Sequence, residues 1–277
     1  MTEPLDKKLE TWLRKQGYPL EMEAASIARK CGFEVSQSDY YVDPDEDQPR
    51  EIDLVLSVQR YQEHFSCDYK LFIECKSSRD KPWLLFSTQN EFAGEEAPQD
   101  PLKGLSLLQS FVANDFGSDL LRKSYLEGNL GNIFPRLTTQ PVIGYGVTQA
   151  FSDNTETPFK ALMSSTKAAL SYAKRFGSIS LTRPFVFAAP VVVIDVPLFS
   201  VTFSEKTSDI ELEEIKRGWL HWKHVVGGRS GLGVYIVHKS ELSAFLKECF
   251  DSASWWNNVE SALLQEILKK KYPDATL

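Results

Sequence analysis

Three ionisable residues stand at regular positions in two short apolar segments and could act together in catalysis. Asp53 interrupts the first segment, and Glu74 and Lys76 end the second. Both segments have the length and aliphatic content of strands, and residues 62–68 between them are polar, so we predict a β-hairpin. Alternate side chains of a strand share a face, so Glu74 and Lys76 lie side by side while Cys75 points into the opposite layer.

This spacing predicts a cation site. If Asp53 faces Glu74 across the hairpin, their Cβ atoms approach to roughly 5 Å. Two such carboxylates repel each other, and burial strengthens the repulsion. Mg²⁺ relieves this conflict, because it binds carboxylate oxygens, keeps several waters and bridges to phosphate groups of a substrate.

A helix is predicted upstream of this hairpin. Leu20 and Ala24 have helical spacing, Pro19 fits the first turn, and Gly32 fits the end. A strand is predicted over residues 33–42. The order is therefore helix, strand, Asp strand and Glu-x-Lys strand.

This order, together with an Asp followed after twenty residues by Glu-x-Lys, resembles the PD-(D/E)xK nuclease superfamily. The nearest patterns are those of Holliday-junction resolvases and of restriction enzymes that act on modified DNA. The resemblance covers residues 18–78, and it departs from the motif at Ile52, where the motif has Pro. In those families a Glu of the first helix leans towards the metal. Glu21 matches that position, whereas Glu23 is rotated away by about 200° around the helix.

The resemblance implies a fold and a set of roles. It predicts an α/β protein with a restriction-endonuclease-like mixed β-sheet flanked by helices, here followed by a C-terminal α/β extension. Asp53 and Glu74 are expected to hold Mg²⁺, or Mn²⁺ in its place, together with the main-chain carbonyl of Cys75. Lys76 is expected to orient or deprotonate the attacking water, or to balance charge at the phosphate; the sequence leaves these roles open.

The remaining chain predicts further elements. We expect a nuclease-like core at 1–203, with an N-terminal helix at 4–16 and an insertion near 77–140, and an extension at 204–277, or one continuous domain. Helices are predicted at 101–130, 158–176, 211–219, 239–250 and 255–271, and strands at 141–148, 191–196, 198–203 and 234–237. The resembled superfamily has a second core helix, which is here either the helix at 101–130 or the helix at 158–176. The length of the later helix and the apolar strand that follows it favour 158–176.

Composition narrows the class of protein. The 277 residues are 42% hydrophobic and 25% charged, as in ordinary globular proteins. The longest apolar stretch, 185–198, is interrupted by Pro190, Asp195 and Pro197, so no membrane span is predicted. The N-terminus has no apolar core of a signal peptide, and the four cysteines lack CxxC spacing. We therefore expect a cytoplasmic protein with free thiols.

The net charge of −7 argues against avid nucleic-acid binding without assistance. Residues 1–100 carry 12 Lys and Arg against 21 Asp and Glu, so the half with the expected metal ligands is the acidic half. We expect a protein partner or a homo-oligomer to deliver the substrate or to activate the enzyme.

Several other signals have plain interpretations. Ser77 and Arg229 are candidates for contact with nucleic acid; the alternatives are that Ser77 only ends a strand and that Arg229 lies in a flexible turn. His221 and His224 would be i, i+3 on a helix, but they lack a third zinc ligand nearby. The acidic turn 43–49 lacks the glycine and closing glutamate of a calcium loop, so a solvated loop is expected.

Two groups of side chains are assigned by default to the surface or the core. Lys167, Lys174 and Arg175 are expected on a solvated helix face. Trp83, Trp255 and Trp256 are expected in the core or an interface rather than stacked on bases.

These observations favour a Mg²⁺-dependent endonuclease, with DNA favoured over RNA because most of the resembled superfamily acts on DNA. An effector subunit in bacterial or antiviral defence fits the lack of a sequence-reading domain. Two alternatives stay open: a non-catalytic nuclease-fold scaffold or nucleic-acid-binding regulatory subunit, and an RNA-cleaving toxin.

Overall fold

The computed structural model describes residues 4–14, 16–62, 65–77, 81–89, 112–113, 115–126, 142–152, 156–175, 185–228 and 232–271. The helices within these ranges are α1 (Leu5–Leu13), α2 (Tyr18–Lys30), α3 (Asp115–Leu126), α4 (Glu156–Arg175), α5 (Leu242–Ser252) and α6 (Ser261–Lys271), with 3₁₀ turns at Lys239–Glu241 and Ala253–Asn258. The strands are β1 (Glu34–Val42), β2 (Pro49–Gln62), β3 (Phe65–Lys76), β4 (Trp83–Gln89), β5 (Val112–Ala113), β6 (Val142–Gln149), β7 (Phe185–Ile194), β8 (Leu198–Ser204), β9 (Asp209–Ile215), β10 (Arg217–Trp222) and β11 (Leu232–His238).

These strands form one mixed sheet in the order β1-β2-β3-β7-β11-β10-β6-β4-β8-β9, with the short β5 also paired to β7. Strands β3, β7 and β11 run parallel to one another, whereas β2 is antiparallel to β3. The architecture is therefore α/β, with a large mixed sheet flanked by helices.

Strand β7 lies at the centre and is buried along its whole length. Its side chains alternate between two cores, as the strand period requires. Val191 and Val193 pack in the cluster that includes Ala24 of α2, and Val192 and Ile194 pack in the cluster that includes Leu162 of α4. Helices thus cover both faces of the central strands.

Most predicted elements are confirmed. Helix α2, with Pro19 in its first turn and Gly32 just past its end, is followed by β1 as expected. The strand at 141–148, the helix at 158–176 and the strand at 234–237 correspond to β6, α4 and β11.

The helix predicted at 211–219 is wrong. These residues belong to β9 and β10, and β9 pairs antiparallel with β8 over its whole length. Glu and Leu favour helices, but pairing with a neighbouring strand overrides such local preferences. Gly218 fits this packing, because a Cβ there would lie 2.6 Å from the side chain of Leu85 on β4.

Further boundaries need correction. The strand predicted at 191–196 is Phe185–Ile194, and the helix predicted at 255–271 begins at Ser261, after a 3₁₀ turn. The predicted turn 62–68 is mostly strand, because β2 continues to Gln62 and β3 begins at Phe65. In the predicted helix 101–130, residues 101–111, 114 and 127–130 lie outside the described residues. Residues 112–113 are β5, and the helix begins at Asp115.

Lys167 is not on a solvated face, contrary to prediction. It is buried and donates hydrogen bonds to both carboxylate oxygens of Asp43, at 2.9 and 2.8 Å, and Asp45 lies 3.2 Å away. Burial would raise the pKa of Asp43, but hydrogen bonds from Lys167 and from backbone N–H groups lower it overall. The acidic turn is therefore anchored to α4 rather than wholly solvated, while Lys174 and Arg175 are exposed as predicted.

The tryptophan prediction is confirmed: Trp83 and Trp256 are fully buried, and Trp255 packs beside the core. The four cysteines are free. Helix α1 buries none of its residues. Of the helices described, none combines the length and the apolarity that crossing a membrane requires.

The division into a core at 1–203 and an extension stays a prediction. Strand β11 of the proposed extension pairs with β7 of the proposed core, and β4 and β6 of the expected insertion also belong to the same sheet. The two parts share one sheet.

Candidate active site

Asp53 and Glu74 lie at the open end of the β2–β3 hairpin. The regular register between these strands ends at the pair Leu54–Ile73, directly before both carboxylates. Beyond that pair, Asp53 Oδ2 accepts a hydrogen bond of 2.7 Å from the backbone N–H of Cys75. Beyond the last backbone pair of β2 and β3, this side-chain hydrogen bond therefore links Asp53 to β3.

Glu74 and Lys76 interact on the same face of β3, as the strand period predicts. Lys76 Nζ donates a hydrogen bond of 2.6 Å to Glu74 Oε1. Glu74 is only 8% exposed, and Lys76 is partly buried. Burial lowers the pKa of Lys76, but the adjacent Glu74 carboxylate outweighs burial and raises the pKa overall. Lys76 is therefore a cation at neutral pH.

Asp53 occupies an unfavourable position for a carboxylate. Burial, followed by repulsion from Glu74, raises its pKa to about 7, although the Cys75 N–H and Lys76 oppose this shift. Without a further positive charge, the Asp53 carboxyl is partly protonated near neutral pH.

Helix α2 brings Glu21 towards this group. Burial raises the pKa of Glu21; Lys76 opposes that rise, and Glu74 adds to it. Glu21 is therefore within electrostatic range of both residues. Glu23 is instead exposed and lies 3.9 Å from Lys239. The choice of Glu21 over Glu23 agrees with this placement.

The donor set suits a divalent cation. Asp53, Glu74 and Glu21 bring three carboxyl groups to one ammonium group, so full ionisation would leave an excess of negative charge. In the ranges that the structure describes, no group of three or more His, Cys, Asp or Glu side chains is close enough to hold a metal. The ligands expected from the sequence are Asp53, Glu74 and the Cys75 carbonyl, with Glu21 as a candidate further ligand. The carboxyl group of Glu21 is not close enough to complete such a group with the other two.

Sequence reasoning missed two neighbours of the site. Burial raises the pKa of Tyr41 on β1, although a hydrogen bond with Ser164 of α4 opposes this rise. The negative charge of Glu74 adds to the rise in pKa, so Tyr41 lies within electrostatic range of the site. Asp195, directly after β7, accepts a 2.6 Å hydrogen bond from Ser77 Oγ. The position of Asp195 after an apolar strand was a usable signal, whereas nothing in the sequence singled out Tyr41.

The other residues named from the sequence differ in their placement. Ser77 is exposed and is held by Asp195, and its predicted nucleic-acid contact stays a prediction. Arg229 lies outside the described residues. His221 is in β10 and His224 follows it, so they are not on a helix; their rings pack against Trp219 and Trp222 respectively.

No family model, no curated protein and no solved structure matches this chain.

Proposed function

We propose that the protein is a metal-dependent phosphodiester hydrolase of the PD-(D/E)xK kind. The observation that carries this proposal is the arrangement at the hairpin end: Asp53 and Glu74 on adjacent strands, with the Lys76 ammonium bonded to Glu74. An acid pair that needs a cation, beside a fixed ammonium group, suits the binding and attack of a phosphate diester.

The order of the surrounding elements supports a restriction-endonuclease-like fold. Helix α2, β1, the Asp53 strand and the Glu74 strand follow one another in the expected sequence. Helix α4 packs on β3 and β7, which favours α4 as the second core helix. The site lies beside the carboxyl end of β3, and the carboxyl ends of parallel strands are common places for ligands in α/β proteins.

Each residue of the site has a role in this proposal. Asp53 and Glu74 would hold Mg²⁺ or Mn²⁺ together with the Cys75 carbonyl. When bound, the ion would neutralise charge and polarise a phosphate oxygen. Lys76 then either positions the attacking water or stabilises the extra negative charge on the phosphate as the bond to the leaving oxygen breaks. Glu21 adds negative charge that strengthens cation binding.

The preferred substrate in this proposal is DNA, and the setting is an effector in bacterial defence that a partner brings to its target. The acidic balance of residues 1–100 supports the need for delivery, since few cations there can displace counterions from DNA.

The direct test is cleavage of supercoiled plasmid, linear duplex DNA, single-stranded DNA and structured RNA with Mg²⁺ or Mn²⁺. We expect the wild type to cut DNA and Lys76→Ala to lose about 100-fold or more in rate, because it removes charge stabilisation at the reacting phosphate. Lys70→Ala is the matched control, since Lys70 lies on the same strand, stacked over Tyr172, and should leave the rate unchanged.

Metal binding separates an enzyme from a scaffold. Mn²⁺ should raise the melting temperature of the wild type and of Lys76→Ala, but not that of Asp53→Asn. The proposal is wrong if the protein cuts none of the four substrates and Mn²⁺ causes no rise in melting temperature that depends on Asp53. The protein is then a scaffold. Cutting of RNA alone would move the function to the ribonuclease alternative.

A further inference from the structure

The end of the sheet farthest from Asp53 and Glu74 exposes large apolar side chains. Phe203, Ile210 and Leu212 are 66%, 64% and 63% exposed. Phe203 pairs with Ile210 across β8 and β9, and Val201 pairs with Leu212. Directly paired residues share a face, so all four lie on one side of the sheet.

This apolar face continues across the neighbouring strands. Phe86 of β4 pairs with Val201, and its ring lies 6.4 Å from that of Tyr145 on β6, which is 62% exposed. Val201 is only 9% exposed and Phe86 is partly buried, so the exposed part of this face consists of Tyr145, Phe203, Ile210 and Leu212. Single exposed apolar residues are ordinary, but several exposed around one apolar face mark an interaction surface. We call Tyr145, Phe86, Val201, Phe203, Ile210 and Leu212 the β9 face.

Strand β9 also offers an open edge. It is last in the sheet order, and among the described residues β8 is its partner. Such an edge presents unpaired N–H and C=O groups that can pair with another strand. On the side opposite the β9 face, this strand carries Asp209, Glu211 and Glu213, all exposed.

These carboxylates disfavour a second copy of the chain as the partner. Antiparallel pairing of two β9 strands about Leu212 would set Glu211 of each copy opposite Glu213 of the other. Like charges directly opposite each other destabilise a strand pair. The edge therefore suits a strand of opposite charge.

We propose that β9 is a docking edge for an extended segment of another protein, in which basic residues alternate with apolar ones. The segment extends the sheet by backbone pairing, its apolar side chains cover Ile210 and Leu212, and its Lys or Arg side chains lie opposite Glu211 and Glu213. β9 lies seven strands from β3 in the sheet order, about 34 Å at 4.8 Å per strand. The proposal is therefore independent of cleavage activity.

The test uses the full-length protein and two capped seven-residue peptides, one alternating Val with Lys and the other Val with Glu. We expect the Lys peptide to bind at least tenfold more tightly, and to slow deuterium exchange of the backbone amides of residues 209–215. Leu212→Lys, a change at an exposed position, should abolish binding because it places a charge in the apolar face.

The double variant Glu211→Lys, Glu213→Lys should reverse the preference and bind the Glu peptide. The matched control, Glu34→Lys with Asp251→Lys, changes two exposed acids elsewhere by the same charge and should keep the wild-type preference. Failure of the Lys peptide to bind, equal binding of both peptides, or protection outside residues 209–215 would overturn the proposal. So would a dimer of the wild type that Leu212→Lys dissociates.

Discussion

At the scale of the residue, the site is defined by one carboxyl group that is costly to ionise. Asp53 is held by the Cys75 N–H, which favours its charged form, but burial and the Glu74 carboxylate outweigh this bond and raise its pKa to about 7. A group whose pKa is higher in the folded than in the unfolded state stabilises the fold at low pH. That contribution is lost as the pH rises through the folded value.

Asp53→Asn should therefore stabilise the metal-free protein at pH 8 but much less at pH 4. Asparagine can still accept the Cys75 N–H bond without carrying a charge beside Glu74. Because one pKa unit corresponds to about 1.4 kcal/mol, the gain at pH 8 is on the order of a few kcal/mol. Urea unfolding in EDTA across this pH range measures it.

The exposed residue Asp251 provides the control, and Asp251→Asn should not reproduce the gain in stability at pH 8. If Asp53→Asn raises the free energy of unfolding equally at pH 4 and pH 8, the charge of Asp53 is not the cause of the gain in stability.

At the scale of the element, helix α2 carries Glu21 in its first turn and sets its position beside the site. The helix ends at Lys30, and Gly32 follows it with a φ of +93°, in the region that favours glycine. A Cβ at this position would approach Phe250 Cε2 to 2.9 Å, so the glycine also allows α2 to pack beside α5. The end of α2 thus determines how the helix approaches the site.

Gly32→Ala should destabilise the protein by about 1–3 kcal/mol, because it combines backbone strain with overpacking against an aromatic ring. It should also weaken cation binding by moving Glu21. Chemical unfolding and a Mn²⁺ titration by calorimetry measure the two effects.

Gly146→Ala is the comparison, since a Cβ there meets nothing nearer than 3.6 Å and Gly146 has no positive φ. Equal losses of stability in the two variants would mean that the geometry at Gly32 has no special role.

At the scale of the whole molecule, a single sheet joins regions far apart in sequence. β7 is paired by β3 on one side and by β11 on the other. Removing β11 would expose the edge of residues 191–194 of β7, whose side chains are fully buried. The sheet therefore has no obvious point at which it divides into two independent parts.

A fragment of residues 1–203 should accordingly fail to unfold cooperatively, whereas the full chain should show one main thermal transition. Circular dichroism and amide NMR dispersion measure this difference. Removal of residues 1–14 is the control: α1 buries no residue, so this truncation should keep the melting temperature within a few degrees. A fragment 1–203 that melts cooperatively would support a domain boundary at 203.

The sequence by itself determined the local features that follow from the side-chain period of one strand or one helix. The period of a strand put Glu74 and Lys76 on one face. The resemblance to known nucleases singled out Glu21, and the period of a helix turned Glu23 away from it. Proline and glycine marked the ends of α2. These features depend on neighbours within a few residues, so they could be predicted without the fold.

Only the tertiary structure decided features that depend on distant partners. Lys167 is buried because Asp43, 124 positions earlier, meets it with both carboxylate oxygens. Residues 209–215 are a strand because β8 pairs with them, although their Glu and Leu content suits a helix. Ser77 is paired because Asp195 directly follows the neighbouring strand β7 and accepts its hydrogen bond. Hydrogen bonds and ion pairs between segments remote in sequence outweigh local preferences of a few tenths of a kcal/mol per residue, and no local pattern encodes them.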